Sequence, residues 1–262
     1  MITLRVKITL QFPGQLIVPV HHFELLHGLI YASIRNEHYR DQLHNEGYKY
    51  ENRNFKGFCF SRLQGKHTSS EGKLTFSSPV SFLFSTCDER LMKELVSSLF
   101  TKDHVMIGHQ RTTVLSVEQI EEKISGQMRI RFLTPVTMYS TFVHNDKRKT
   151  YYYSPTEDDF SELIAANARK KYEAIFGQDP LDRTLTLTPL DKRHPKQVIF
   201  TFKKTIIKGW LGEFILQGHP ELLKLVYDTG IGGKCTNGAG LFTVVSHLDA
   251  KAQDKRPIQI FQ

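Results

Sequence analysis

The stretch "QMRIRFLTPVTMY", residues 127 to 139, decides the fold, because it either extends the pattern that precedes it or starts that pattern again. It reads as a strand that sets Arg129 and Arg131 on one face, and it follows the polar stretch "VEQIEEKISG" at 117 to 126. Upstream, Ile2, Leu4, Val6, Ile8 and Leu10 alternate with Thr3, Arg5, Lys7 and Thr9, the period of a half-buried strand. A helix over 22 to 35 follows, with Leu26, Leu29, Ile30 and Ile34 on one face and His27, Tyr31 and Arg35 on another, so Tyr31 is expected to face away from the core. A short helix, "NEHYRDQLHNEG", ends at Gly47. Strands at "FKGFCFSRL" and "KLTFSSPVSFLFST", a helix from about 88 to 100 and a strand-like run over 104 to 117 complete the order βαββαβ.

From residue 127 the same order recurs. A strand at 127 to 139 leads to a helix over 156 to 176, strands at "RTLTLTPL", "KQVIFTFKK" and "IIKGWLGEFILQG", a helix over 220 to 227 and a closing strand "LFTVV". The economical architecture is α+β, two tandem ferredoxin-like (βαββαβ, RRM-like) domains with a C-terminal glycine-rich loop. The expected division is residues 1–120 and 124–262, with the last fifteen residues polar enough to fray.

Composition narrows the partner. Thirty-five Lys and Arg against 27 Asp and Glu give a formal charge of +8, which favours an anionic partner, either nucleic acid or an anionic membrane surface. No apolar run approaches the ~20 residues of a membrane span, so the protein is expected to be intracellular. Three cysteines with no CxxC pair suit a reducing compartment and read as free thiols. The twelve histidines include no HExxH, and "EDD" at 157 to 159 reads as acids at a helix start, so no metal site or cofactor is expected.

Near the end of the chain, "TGIGGKCTNGAGLF", residues 229 to 242, packs five glycines and Lys234 between a helix and a strand. It lacks the GxxxxGK[ST] spacing of a phosphate-binding P-loop and does not open a helix after a strand, which removes the Walker and dinucleotide readings. Two readings remain. One is a tight turn needing positive φ at Gly230 or Gly238. The other is a concavity in which backbone N–H groups of Gly230, Gly232, Gly238 and Gly240, with Lys234, meet a phosphate chain.

"GIGGKCTNGAG" resembles the carboxyl-terminal motif of the CRISPR-associated endoribonucleases that cut repeat transcripts into guide RNAs, members of the repeat-associated mysterious protein superfamily. The resemblance extends to "WLGEFILQGHPELLKLVYDTG", "YYYSPTEDDF", "NARKKYEAIFG", "LLHGLIYASI", "YRDQLHNEGY" and "FKGFCFSRLQG", in the family's order over most of the chain. Cys235 and Ala239 depart from the family's usual residues. The resemblance implies metal-independent cleavage, in which a 2′-hydroxyl attacks the adjacent phosphate and leaves a 2′,3′-cyclic phosphate and a 5′-hydroxyl. It also implies a Tyr, His and Lys triad, which by motif falls on Tyr31, His44 and Lys56. Histidine exchanges protons near neutrality, whereas a phenol of pKa ~10 donates or positions, so acid or base duty goes to His44 and charge stabilisation to Lys56. His38 competes with His44, and Lys49, Arg53 and Arg62 with Lys56.

Basic residues gather at Arg129 and Arg131, at Lys147, Arg148 and Lys149 before three tyrosines, and at Lys192, Arg193, His194, Lys196, Lys203, Lys204 and Lys208. Each group is either a solvated face or a phosphate-contacting surface. The expectation is a second domain that grips CRISPR repeat RNA and a first domain that cuts it. The resemblance further implies a prokaryotic, cytoplasmic monomer or homodimer, with CRISPR effector-complex proteins as further partners. A non-catalytic RNA-binding subunit of the same superfamily is the alternative.

Overall fold

The computed structural model describes residues 4–124, 126–193 and 195–248. His194 and residues 249–262, where the chain was expected to fray, lie outside the described residues.

The first half runs β1 (Arg5–Gln11), β2 (Gln15–Pro19), α1 (Phe23–Ala32), α2 (Glu37–Asn45), β3 (Tyr48–Tyr50), β4 (Arg53–Phe55), β5 (Phe58–Phe60), β6 (His67–Ser70), β7 (Lys73–Ser77), β8 (Val80–Thr86), α3 (Glu89–Thr101), β9 (Val105–Ile107) and β10 (Gln110–Gln119). Its main sheet has the order β5-β8-β1-β10-β9, with every neighbour antiparallel. The second half runs β11 (Gln127–Phe132), β12 (Tyr139–His144), β13 (Lys147–Tyr152), α4 (Asp159–Phe176), β14 (Leu185–Pro189), β15 (Lys196–Phe202), β16 (Thr205–Leu211), β17 (Glu213–Gly218), α5 (Pro220–Thr229), a 3₁₀ turn (Cys235–Asn237) and β18 (Phe242–His247). Its sheet has the order β14-β17-β11-β18, also antiparallel. In each half the first strand is central, flanked by the third and last strands of a βαββαβ unit, so the expected ferredoxin-like order is present twice.

Local chemistry sets the element ends. Asn36 caps α2 by accepting from the Tyr39 N–H, and Asp88 caps α3 by accepting from Arg90 and Leu91. Gly177 ends α4 in the left-handed region, and Pro220 opens α5 where no amide partner is needed.

Several runs read as single strands divide. Pro79, which has no N–H to give a ladder, separates β7 from β8, and Gly108 at φ +61 turns β9 into β10. The deciding stretch 127 to 139 ends its strand at Phe132, and "IIKGWLGEFILQG" gives β16 and β17, which belong to different sheets. Two hairpins are thereby added to the second unit, β12–β13 and β15–β16.

The halves share a core. Phe200, Phe202 and Ile207 of the β15–β16 hairpin and Ala239 of the glycine-rich loop are buried in the hydrophobic cluster of the first half. Arg5 on β1 is only 1% exposed. It donates to the carbonyls of Phe242 (2.7 Å) and Tyr227 (2.5 Å), and its guanidinium lies 3.5 Å from the Tyr227 ring centroid. Glu122 of the connecting segment stands 3.9 Å away as the counter-charge.

Candidate active site

The site is assembled on α1. His27 and Tyr31 lie one turn apart, and their rings meet at 4.7 Å between centroids. The last turn of α2 carries His44, whose ring stands edge-on to Tyr31 at 5.1 Å and 80°, and 6.4 Å from His27. Phe58 on β5 closes another side of Tyr31 at 5.9 Å. The structure therefore brings Tyr31 and His44 together and adds His27 beside them. His38 sits exposed in the first turn of α2 and shares none of these ring contacts.

Tyr31 is 8% exposed, which corrects the expectation that it faces away from the core. Helical periodicity identified the face correctly. It could not reveal that α2, Phe58 and the β15–β16 hairpin would cover that face. Burial raises the Tyr31 pKa above the ordinary phenol value, so the group remains a neutral hydrogen-bond donor at physiological pH. Burial first, then the charge of Lys203 and of His44, lowers His27 to about 4. His27 is thus a neutral imidazole. His44 is exposed, with Nδ1 3.1 Å from Asn45 Oδ1.

Lys56 enters through Gly47. At φ +62 this glycine turns the chain out of α2, and a Cβ there would meet Phe55 O at 2.2 Å and Lys56 Cδ at 2.7 Å. The Lys56 stem consequently runs along the end of the helix that carries His44. Burial lowers the Lys56 pKa, opposed by the charge of Glu46. Arg62, a competing cation, donates instead to Val20 O at 2.8 Å, and Lys49 pairs with Glu46 at 2.9 Å.

The β15–β16 hairpin reaches this site from the second half. Its turn residues Lys203 and Lys204 both have positive φ, and the Lys203 N–H donates to the Glu24 carboxylate of α1. Phe202 lies 5.3 Å from His27. Lys203 and Lys204, expected on the RNA-gripping surface of the second half, lie in the turn that reaches α1, with Lys203 near His27. The i, i+4 spacing to Tyr31 was the available signal for His27; nothing local signalled Phe202.

The glycine-rich loop differs from the phosphate-cradle reading. Gly230, Gly232, Gly238 and Gly240 are buried, each at positive φ. A Cβ on Gly238 would sit 2.0 Å from Phe23 Cδ1, and one on Gly240 would sit 2.2 Å from Ile231 O. The N–H groups of Gly233, Gly238 and Gly240 donate to Thr137 (2.8 Å), Cys235 (3.2 Å) and Pro135 (2.9 Å) carbonyls. These glycines serve conformation and close packing. Of the loop, Gly233, Lys234, Thr236 and Asn237 are half-exposed, with Lys234 Nζ 5.0 Å from the Tyr139 ring centroid.

Among the other basic groups, Arg129 and Arg131 share the Glu213 carboxylate, through Arg129 Nε at 2.6 Å and Arg131 Nη2 at 2.5 Å. One carboxylate against two guanidiniums leaves that strand face with a net positive charge. Lys208 is exposed on β16, and Lys147, Arg148 and Lys149 are exposed on β13. Among the described residues no group of three His, Cys, Asp or Glu side chains is arranged to hold a metal ion, and no helix is long and apolar enough to cross a membrane.

Residues 118–244 match the family model for the C-terminal part of the CRISPR-associated protein Cas6. The chain is similar to a CRISPR-associated endoribonuclease Cas6 of Methanocaldococcus jannaschii, at 24% identity with 97% of each chain covered. It is also similar to one of Pyrococcus furiosus, at 26% identity over 91% of this chain and 88% of that one. Among solved structures, a Cas6-related protein of Pyrococcus furiosus superposes with a TM-score of 0.80 at 20% identity, covering 93% of this chain and 98% of that one. A CRISPR-associated Cas6 protein superposes at 0.75 with 23% identity, covering 93% of this chain and all of that one. The tandem ferredoxin-like fold is thus shared.

Proposed function

We propose that the chain is a member of the CRISPR-associated Cas6 family and, from that premise, an endoribonuclease that cleaves CRISPR repeat RNA without a metal ion. The observation that carries the reading is the edge-on contact of Tyr31 and His44 at 5.1 Å, with Lys56 delivered to the end of the same helix.

Cleavage requires removal of a proton from the 2′-oxygen, delivery of one to the departing 5′-oxygen, and a cation for the charge that gathers on the phosphorus oxygens between. His44 is exposed beside Tyr31 and takes the acid or base role. Tyr31, held as a neutral phenol, positions or donates; a tyrosinate base is disfavoured by its burial. Lys56 stabilises the phosphorane charge, and His27 holds the Tyr31 ring while staying uncharged. Residues 1–120 would then form the cutting domain. Residues 124–262 would hold the RNA through Lys234, Lys208, Lys203, Lys204 and the net charge of Arg129 and Arg131, with the buried glycines Gly230, Gly232, Gly238 and Gly240 setting the loop that presents Lys234. We place the protein in a prokaryotic cytoplasm, as a monomer or homodimer that passes guide RNA to CRISPR effector-complex proteins.

The test is incubation with a repeat RNA in EDTA, alongside single 2′-deoxy substitutions and His44→Ala. Cutting that one deoxy position and His44→Ala both abolish supports the mechanism. Tight binding without cutting would replace it with the reading of a non-catalytic RNA-binding subunit.

A further inference from the structure

The junction of β8 and α3 grips the chain on both sides of the candidate site. Asp88 caps α3 through Oδ1, which accepts from the Arg90 N–H at 2.8 Å and the Leu91 N–H at 3.2 Å. Its other oxygen, Oδ2, accepts from the Tyr39 hydroxyl at 2.6 Å and the Tyr48 hydroxyl at 2.8 Å. Tyr39 lies on α2 ahead of His44, and Tyr48 opens β3 just after it. Burial, and next the bond to Asp88, raises both phenols above their ordinary value, so each stays a neutral donor. The two residues before Asp88 hold the segment that carries Lys56. Thr86 Oγ1 and the Cys87 N–H both donate to Gly57 O, at 2.8 and 3.1 Å, and the Asp88 N–H donates to Thr86 Oγ1 at 3.0 Å. Gly57 has φ +69, and a Cβ there would stand 3.0 Å from Tyr48 Cε2 and 3.1 Å from Cys87 Sγ, so glycine permits this close approach.

We propose that Asp88 is a positioning residue for the cleavage reaction, tying α2 and β3 to one anchor so that His44 and Lys56 are held in place beside Tyr31. Tyr31 has a firm base, because α1 is seated in the core by Leu26, Leu29 and Ile30. Its partners do not. The helix α2 has nine residues, of which Tyr39 and Leu43 are buried, and β3–β4 is a two-stranded ribbon with three residues in each strand. Elements of this size are marginal by themselves, so their placement depends on tertiary anchors. A carboxylate with two phenol donors is a strong and directional one. The inference rests on the ribonuclease reading and its assignment of His44 and Lys56; Asp88 acts through Tyr39 and Tyr48 and not on the RNA.

Asp88→Ala would also uncap α3, so the test is Tyr39→Phe combined with Tyr48→Phe, which removes both hydroxyls and leaves the cap in place. In single turnover with saturating repeat RNA in EDTA, the double variant should cut about 10- to 100-fold more slowly, with its Kd within about twofold of wild type, the mark of misplaced reacting groups. The two single variants should give non-additive losses, because both hydroxyls share one carboxylate. Leu187→Val, in the core of the second unit and 1% exposed, is the stability control: it should lower Tm yet cut at the wild-type rate when assayed well below that Tm. An unchanged rate in the double variant overturns the inference, as does a slower rate that the control shares or that comes with a matching rise in Kd. Wild type and His44→Ala are run alongside. Wild-type cutting that His44→Ala abolishes and the Phe variants leave intact removes the role of Asp88 alone. No cutting by wild type, or cutting that survives His44→Ala, removes the ribonuclease assignment and this inference with it.

Discussion

His27, Tyr31 and His44 are three ring side chains with three different environments, and burial shifts the first two in opposite directions, His27 down to about 4 and Tyr31 above the ordinary phenol value. Tyr31→Phe keeps the ring contacts and removes the donor, so the single-turnover rate should fall by about 10- to 1,000-fold with RNA affinity changed less than about threefold, the signature of an interaction made at the reacting centre. His22 and His27 are both depressed to about 4 from 6.5, chiefly by burial. In His22 the reason is visible in the hydrogen bonds: the Leu63 N–H donates to Nε2 at 3.0 Å, so Nδ1 carries the proton toward Pro19 O and a second proton would break the Leu63 bond. A histidine with a depressed folded pKa stabilises the fold above its unfolded pKa, and that contribution disappears as pH falls through the folded value. Unfolding measured between pH 7 and 4 should lose on the order of 3 kcal/mol from His22, progressively below pH 6.5, and His22→Gln should flatten the profile. Tyr31, His44 and Lys56 could be named from motif resemblance, but the covering of Tyr31 could not. The rings that pack on it include His44 of α2 and Phe58 of β5, elements the sequence does not show to meet α1.

At the scale of elements, the glycine-rich loop is a packing joint between α5 and β18. Gly238→Ala places a methyl group inside the space of the Phe23 ring, against a ring that is itself packed on Phe60 and Phe200, and at a φ of +87. The variant should lose about 2–4 kcal/mol of stability, read by urea unfolding, without needing RNA present. A variant that keeps full stability and loses only RNA affinity would return the glycine to the phosphate-cradle role. The β15–β16 hairpin carries the complementary prediction. Lys203→Glu with Lys204→Glu should raise the Kd for repeat RNA and reduce the steepness of its salt dependence, by about one unit of log–log slope for each phosphate no longer neutralised. An unchanged slope would remove these lysines from the RNA surface. The first strand of this hairpin reads as a strand in the sequence, whereas its second reads as one run with β17. Its docking on α1 is not readable there, because Phe200, Phe202 and Ile207 look the same in sequence whichever core they enter.

Across the whole molecule, the decisive residue is Arg5. It reads in sequence as an ordinary polar member of an alternating strand, yet it is enclosed between β1, α5 and β18, with its charge answered by Glu122 and by two carbonyls. Arg5→Met should cost about 3–5 kcal/mol, since the carbonyls of Tyr227 and Phe242 each lose a charged donor and Glu122 loses its counter-charge. Calorimetry of the variant should also show the single unfolding transition broadening or splitting as the halves uncouple. A sharp, wild-type transition would show that the shared core at Phe202 and Ala239 suffices to bind the halves.

The sequence by itself determined the repeated βαββαβ order and a basic chain suited to an anionic partner. These are local properties, written in period-two and helical spacing and in net charge, and they survive whatever the rest of the chain does. Tertiary structure alone decided that Tyr31 is covered, that the glycines face inward, and that Arg5, Asn167 and Lys171 are buried. Each of these depends on which distant surface comes to rest against the residue, and burial, pairing and pKa follow from that packing rather than from the residue or its neighbours in the chain.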